Sequence, residues 1–416
     1  MGIRLNLQFL IIELFIILTH SNNQQLVPIS SNLIKKYFIL SNHIIIIVSN
    51  DGIYFYNSDL TIEDESKKIL FPKNICLIEQ EKILIKQFPK EDGGYLMILV
   101  LDKIYFFKPD GTKINSIYMP DIPNSDNYCL TPYKRQNNNL YYIIAYNIKQ
   151  NFILKQFKFN INSFSNQIIN SKIIDIRIQF YESKIILTEQ IKGLSCISMS
   201  HPKINNDLLT CFYSIYFPSK IKVKTFDINN NFEQIKKGFN YLNLIKCPNI
   251  SYISALSNEK KQKALIYFGN KNNNYLITFD YVNSFSRPKQ IINKSSNIIK
   301  LFYNKIFYSK QINEFFFIFT TSDKCKIYLV FFNDDLNIKK QGFFNPEKCK
   351  HNFSFFSFYN EAFHTNIIDD KNLMKLKIFN YEDIHLFLNE SNGIQIEFKE
   401  ENLYSNYTID EYKKNL

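Results

Sequence analysis

The residue types that do chemistry are present in this chain, but their spacing rarely lets them work together. The six histidines, His20, His43, His201, His351, His364 and His385, are dispersed, with none paired at metal or general-base spacing. Asp334-Asp335 and Asp369-Asp370 are adjacent acids in predicted turns. Neighbouring residues on a strand point to opposite faces, so neither pair makes an acid/base couple. Asp59, Glu63, Asp64 and Glu65 are acidic but lack the alternate spacing and the glycine of a calcium loop. Asp51-Gly52 and Asp110-Gly111 read as turn residues. There is no GxSxG, no P-loop and no GxGxxG. No catalytic residue, metal ligand or cofactor site is assigned from these patterns. A site assembled from distant loops is the remaining catalytic option.

Cysteine is more informative. The seven are Cys76, Cys129, Cys196, Cys211, Cys247, Cys325 and Cys349, with no CxxC among them. The stretch Leu194 to Phe226 reads as three short strands, and its first hairpin sets Cys196 opposite Cys211. That pair is the leading disulfide candidate and Cys325 with Cys349 the second. The N-terminus supports an oxidising destination. Arg4 precedes the apolar run Phe9 to Thr19, and polar residues follow from Ser21. Residues 1–21 are therefore expected to be a cleaved secretory signal; an uncleaved anchor or a buried first strand are the alternatives. No later stretch is apolar enough to span a membrane as a helix, and the chain ends in the polar tail 399–416. A membrane-anchored remainder beyond this sequence is left open. Secretion would make the sequons at Asn249, Asn293, Asn352, Asn389 and Asn406 candidate glycan sites.

The net charge is +12, but the lysines behind it are scattered singly, as in Lys220, Lys222 and Lys224. Arginine, the preferred fork for bases and phosphates, occurs only as Arg4, Arg135, Arg177 and Arg287. The charge reads as solvated surface, and no nucleic-acid partner is expected. Abundant Ile, Asn, Lys, Phe and Tyr point to an AT-rich genome.

The elements that would position any site are strands. Hydrophobic residues make up 45% of the 416, in runs of four to eight cut by Asn, Asp, Gly, Pro and Lys. A repeat organises them. The equivalent positions are Ile53, Ile104, Ile153, Ile221, Leu276, Ile327 and Met374, spaced by 51, 49, 68, 55, 51 and 47 residues. The long interval holds the Cys196/Cys211 hairpin and an extra strand near Lys184 to Leu187. In each unit a continuous apolar strand is followed by a polar turn and a second strand, and about 50 residues allow some four strands. With glycine at only 10, Asn and Asp are expected to fill most left-handed turn positions.

In this period and strand pattern, over about 33–398, the chain resembles secreted or cell-surface β-propellers. The Asp-Gly pairs also look like fragments of sialidase Asp boxes, without that family's Ser, Thr and Trp. There is no WD dipeptide, kelch glycine pair or YWTD box to name a propeller family. The expected fold is all-β, a seven-bladed propeller of four-stranded blades; two β-sandwiches or a β-helix are the alternatives. Ring closure is expected from Ile384 to Leu388, Ile394 to Phe398, or Leu33 to Leu40. The signal, the sequons and the possible disulfide framework, without a catalytic constellation, lead to the expectation of a monomeric, secreted or surface-exposed module whose loops on one face bind a protein or glycan. A secreted carbohydrate hydrolase or lyase, and an intracellular scaffold, are the rival readings.

Overall fold

The computed structural model describes residues 27–30, 34–39, 45–49, 51–56, 68–71, 83–88, 92–122, 127–148, 151–175, 177–179, 186–188, 191–200, 207–215, 220–235, 241–243, 250–258, 263–270, 273–280, 284–293, 302–309, 314–320, 327–344, 352–359, 362–368, 373–380 and 396–400. All regular structure there is β, apart from single turns. The chain divides into two compact units. One comprises Met1–Gln80, Pro109–Thr112 and Asn345–His385; the other comprises Glu81–Lys108, Lys113–Phe344 and Leu386–Leu416.

The first unit opens with β1 (Val27–Ser30). Its first sheet runs β2 (Ile34–Ile39), β3 (Ile45–Ser49), β4 (Gly52–Tyr56) and β5 (Ile69–Leu70), each strand pairing with the next.

The second unit repeats that plan. β6 (Leu84–Gln87), β7 (Leu96–Val100), β8 (Lys103–Phe107) and β9 (Lys113–Tyr118) form one sheet. β10 (Asn127–Gln136), β11 (Asn139–Ile148), β12 (Asn151–Asn160) and β13 (Asn166–Asp175) form the next. A small hairpin of β14 (Arg177–Gln179) and β15 (Ile186–Thr188) follows. Then come β16 (Ile191–Ser200), β17 (Asp207–Ile215) and β18 (Lys220–Asp227), with β19 (Glu233–Gln234) and β20 (Tyr241–Asn243) both on β18. β21 (Tyr252–Asn258), β22 (Lys263–Gly269), β23 (Asn274–Asp280), β24 (Ser284–Phe285) and β25 (Lys289–Asn293) form another sheet. β26 (Phe302–Ser309), β27 (Glu314–Thr320), β28 (Ile327–Phe332) and β29 (Ile338–Phe344) complete the series.

Back in the first unit, β30 (Asn352–Tyr359), β31 (Ala362–Ile368) and β32 (Leu373–Asn380) form a sheet whose fourth strand is β1. The last strand, β33 (Ile396–Glu400), joins β25 in the second unit. Successive four-stranded antiparallel sheets of this kind are the blade pattern of a β-propeller. The seven equivalent positions fall on β4, β8, β12, β18, β23, β28 and β32, the third strand of each sheet.

Two expectations change. Ile394 to Phe398 does not complete the last sheet: the strand there is Ile396–Glu400 and it extends β25, with Ile291 opposite Phe398. Leu33 to Leu40 does not complete it either, because β2 is committed to β3. The strand that does is Val27–Ser30, upstream of the expected boundary at 33, with Val27 opposite Met374. Ile384 to Leu388 lies outside the described residues. The long interval is explained by the β14–β15 hairpin, while the Cys196/Cys211 hairpin is an ordinary first pair of its sheet.

In the second unit, consecutive sheets share cores. Met97, Leu99 and Phe106 pack with Tyr142, Phe157 and Phe159, and the Phe106 and Phe159 rings stack at 4.2 Å. Ile143, Phe152 and Leu154 pack with Leu209, Tyr213 and Phe226. This two-sided cover explains why Tyr142–Tyr146 of β11 is buried on both faces, with Tyr142, Ile144 and Tyr146 in one core and Ile143 and Ala145 in the other. Among the described residues, turn chemistry departs from expectation. Asn137 and Asn231 do take positive φ, but so do Leu101, Phe164, Phe232 and Leu336. Phe232 and Leu336 are buried. Burying such a side chain is worth about 2–3 kcal/mol, which exceeds the ~1–2 kcal/mol cost of the left-handed region.

Candidate interaction surface

The residues flagged for chemistry have structural roles where they are described. Asp51 accepts hydrogen bonds from the Tyr54 hydroxyl at 2.6 Å and from the Ser49 hydroxyl. Burial acts to raise its pKa, and those bonds outweigh it and hold the carboxyl low. Asp110 accepts from the Thr112 amide at 2.9 Å, beside Gly111 at φ 81°. Asp335 pairs with Lys263 at 3.6 Å, while its neighbour Asp334 is buried. These are turn and packing functions. Among the described residues no three His, Cys, Asp or Glu side chains are placed to hold a metal. No described helix is long and apolar enough to cross a membrane.

Cys196 and Cys211 stand directly opposite on β16 and β17, with Cα atoms 4.1 Å apart, and are joined by a disulfide. This close spacing belongs to the narrow pair of an antiparallel ladder. Cys129, on β10 of the preceding sheet, is a buried thiol against the same bridge: its Sγ accepts from the Cys196 amide at 3.1 Å. The Thr131 hydroxyl donates to the Cys196 carbonyl at 3.2 Å. Cys325, Cys349, Asn249, Asn389, Asn406, the expected signal at 1–21, His20, His43, His201, His351, His385 and the tail beyond Glu400 lie outside the described residues. His364 lies on β31. Asn293 and Asn352 lie at strand ends, the last residue of β25 and the first of β30.

The surface that stands out was not among the sequence candidates. β13 is the outermost described strand of its sheet and reads NQIINSKIID. Its pairing with β12 slips by one residue: Asn170 opposes Gln156, Ile168 opposes Phe157, and Ile169 is the extra residue. Strict alternation would put Ile168 and Ile173 on opposite faces. The bulge brings them to the same face, opposite Phe157 and Ile153. Both are exposed, at 52% and 65%, and Ile169 is at 41%. Tyr118 at the end of β9 and Phe164 in the turn before β13 are exposed as well. Phe164 holds φ 55° without the burial that offsets this at Phe232, so it carries backbone strain on the surface.

The other face of β13 is fastened down. Asn170 donates to Gln156 Oε1 at 2.5 Å, and Lys172 donates to the Phe232 carbonyl at 2.8 Å. Ile174 packs into the core shared with the β16–β20 sheet. The strand is thus rigidly presented on one side and open on the other. Between the two isoleucines, Ser171 faces Lys155 across the pairing. Lys155 donates to Asp121 Oδ2 at 2.7 Å, and the Tyr146 hydroxyl donates to the same oxygen at 3.1 Å. The Lys155 hydrogen bond holds the Asp121 carboxyl below its ordinary range. Burial acts to lower Lys155, but its bonds to Asp121 and Tyr146 raise it. The result is an apolar strand face with one neutralised polar spot.

No protein-family model and no curated protein matches the chain. Solved structures similar to it include the Pan2 WD40 domain of Neurospora crassa, at 11% identity and a TM-score of 0.45, covering 88% of this chain and 91% of that one. The Nup133 β-propeller domain of Vanderwaltozyma polyspora is similar at 10% identity and a TM-score of 0.42, covering 84% and 95%. Kuenenia stuttgartiensis hydrazine synthase is similar at 7% identity and a TM-score of 0.48, covering 85% and 97%.

Proposed function

We propose that the chain is a secreted or surface-exposed β-propeller module of seven blades, not an enzyme, which binds an extended segment of a partner protein along β13. The observation that carries this reading is the row of exposed isoleucines on a bulged outer strand. An outer strand offers backbone donors and acceptors to an added strand, and Ile168 and Ile173 offer exposed apolar surface to side chains of that strand. Aliphatic side chains favour a protein over a glycan, whose recognition needs more convergent polar groups. The buried Cys196–Cys211 bridge and the sequons at the strand ends Asn293 and Asn352 support the secretory pathway.

The binding test is a selection of random extended peptides against the oxidised full chain, with an Ile168→Asp/Ile173→Asp variant as counter-target. Expected are peptides with alternating apolar residues that protect the β13 amides from hydrogen exchange and lose affinity for the variant at least tenfold. Peptides that bind both chains equally, or protect other strands only, would refute the docking strand. The compartment is tested by expression in a eukaryotic secretory cell. Medium protein that loses mass on deglycosylation supports secretion, and a reduced, unmodified chain retained in the cytosol would overturn it.

A further inference from the structure

β18 carries Lys220, Lys222 and Lys224 at every second position, which sets three side-chain stems on one face about 7 Å apart. The register identifies that face. The three lysines lie opposite Ile215, Tyr213 and Cys211 of β17, and Lys220 and Lys222 lie opposite Asn243 and Tyr241 of β20. Ile215, Tyr213 and Cys211 belong to the core shared with the β10–β13 sheet. The lysines therefore face the gap between two sheets, and each is only partly exposed. Lys172 of β13 enters from the opposite wall, where it donates to the Phe232 carbonyl at 2.8 Å.

Scattered lysines on a solvated strand need no explanation; half-buried ones on a core-facing side do. Burial lowers all three, and Lys222 falls to about 8 through burial first and the Lys224 charge second. Lys220 and Lys222 also have other interaction partners in the fold. Beside them the Lys224 ammonium lies 5.9 Å from the centre of the Tyr213 ring. The Tyr213 hydroxyl is buried and has no hydrogen-bond partner. An unmet buried donor next to clustered cations is what an oxyanion would satisfy, since it accepts the hydroxyl proton and offsets the like charges together.

We infer that Lys220, Lys222, Lys224 and the Tyr213 hydroxyl form a binding site for a tetrahedral oxyanion, a phosphate or sulfate group, in the gap between β18 and β13. The oxyanion accepts from Tyr213 and bridges neighbouring ammonium groups. The same chemistry is offered by the free ion and by a monoester on a larger molecule. This site does not depend on the β13 docking face, which is on the other side of that strand.

The test is calorimetric titration of the oxidised full chain with sodium sulfate, sodium phosphate and phenyl phosphate, against sodium chloride at matched ionic strength. Saturable one-site binding is expected, weakened at least tenfold by Lys224→Met and several-fold by Tyr213→Phe. Lys103→Met, at the exposed first residue of β8, should leave it unchanged. Tyr213→Phe should also raise the melting temperature in chloride, because it removes the unmet hydroxyl; this readout requires no ligand. Binding by phenyl phosphate alone assigns the site to esters, and binding by the inorganic ions assigns it to free anions. A non-saturating response equal in wild type and Lys224→Met, with the chain folded by circular dichroism, would overturn the site.

Discussion

Breaking the Cys196–Cys211 bridge should cost about 3 kcal/mol, the loop-closure entropy returned to the unfolded chain by a link of this length. The sequence separation is 15. Two routes to the break separate the link from the packing. Reduction leaves both sulfurs in place and removes only the cross-link. Cys196→Ala with Cys211→Ala also removes buried atoms, because both side chains are buried in the core shared by two sheets. That adds about 1–2 kcal/mol of lost contact and cavity. In urea, with a slope of roughly 2–3 kcal/mol/M, reduction should move the midpoint down by about 1 M and the double substitution by somewhat more. The assay is a denaturant titration with and without reductant, followed by circular dichroism because the chain has no Trp. Hydrogen exchange on β16 to β18 localises the effect, and peptide mapping confirms the link. Superimposable curves from mapped, fully reduced and fully oxidised samples would refute the reasoning. Cys129 adds a control: its buried thiol should alkylate only after unfolding.

Further outcomes follow from named contacts. Phe164→Asn relieves a positive φ at a half-exposed side chain and should stabilise the free chain by about 1 kcal/mol; thermal melts check it, and a lower midpoint would show that the ring packs usefully. Asp121→Asn should destabilise by under about 1 kcal/mol near neutral pH, since the pair is partly exposed. The folded carboxyl sits below the ordinary range of a carboxylate, so this contribution exists above that range and is lost as pH falls through the folded value. Paired melts at neutral and acid pH should show the difference between the two chains shrinking. Lys222 has the opposite sense: a folded value near 8 against 10.5 means the unfolded state holds the proton longer. Stability relative to Lys222→Met should therefore rise between about pH 8 and 10. Gly193→Ala should destabilise, because its Cβ would stand 2.9 Å from Ile253 Cγ2 on the neighbouring sheet; hydrogen exchange on β16 and β21 reports it.

The sequence by itself determined the repeat. Ile53, Ile104, Ile153, Ile221, Leu276, Ile327 and Met374 recur at blade spacing because each falls on the third strand of its sheet, where Ile53, Ile104, Ile221, Leu276 and Ile327 are fully buried. It also set Cys196 opposite Cys211, since a hairpin register is local. Three things were decided only by tertiary structure. Val27–Ser30 completes the last sheet because β32 offers an unfilled edge, and such a partner lies hundreds of residues away in the chain. Ile168 and Ile173 share one face because of a single extra residue in the β12–β13 pairing, a slip that Asn-Gln-Ile-Ile-Asn-Ser-Lys-Ile-Ile-Asp does not announce. Lys220, Lys222 and Lys224 read as an ordinary solvated strand face, and only the sheet packed opposite turns that face inward. Local pattern fixes which residues alternate; the neighbouring sheet fixes which side of the alternation meets water.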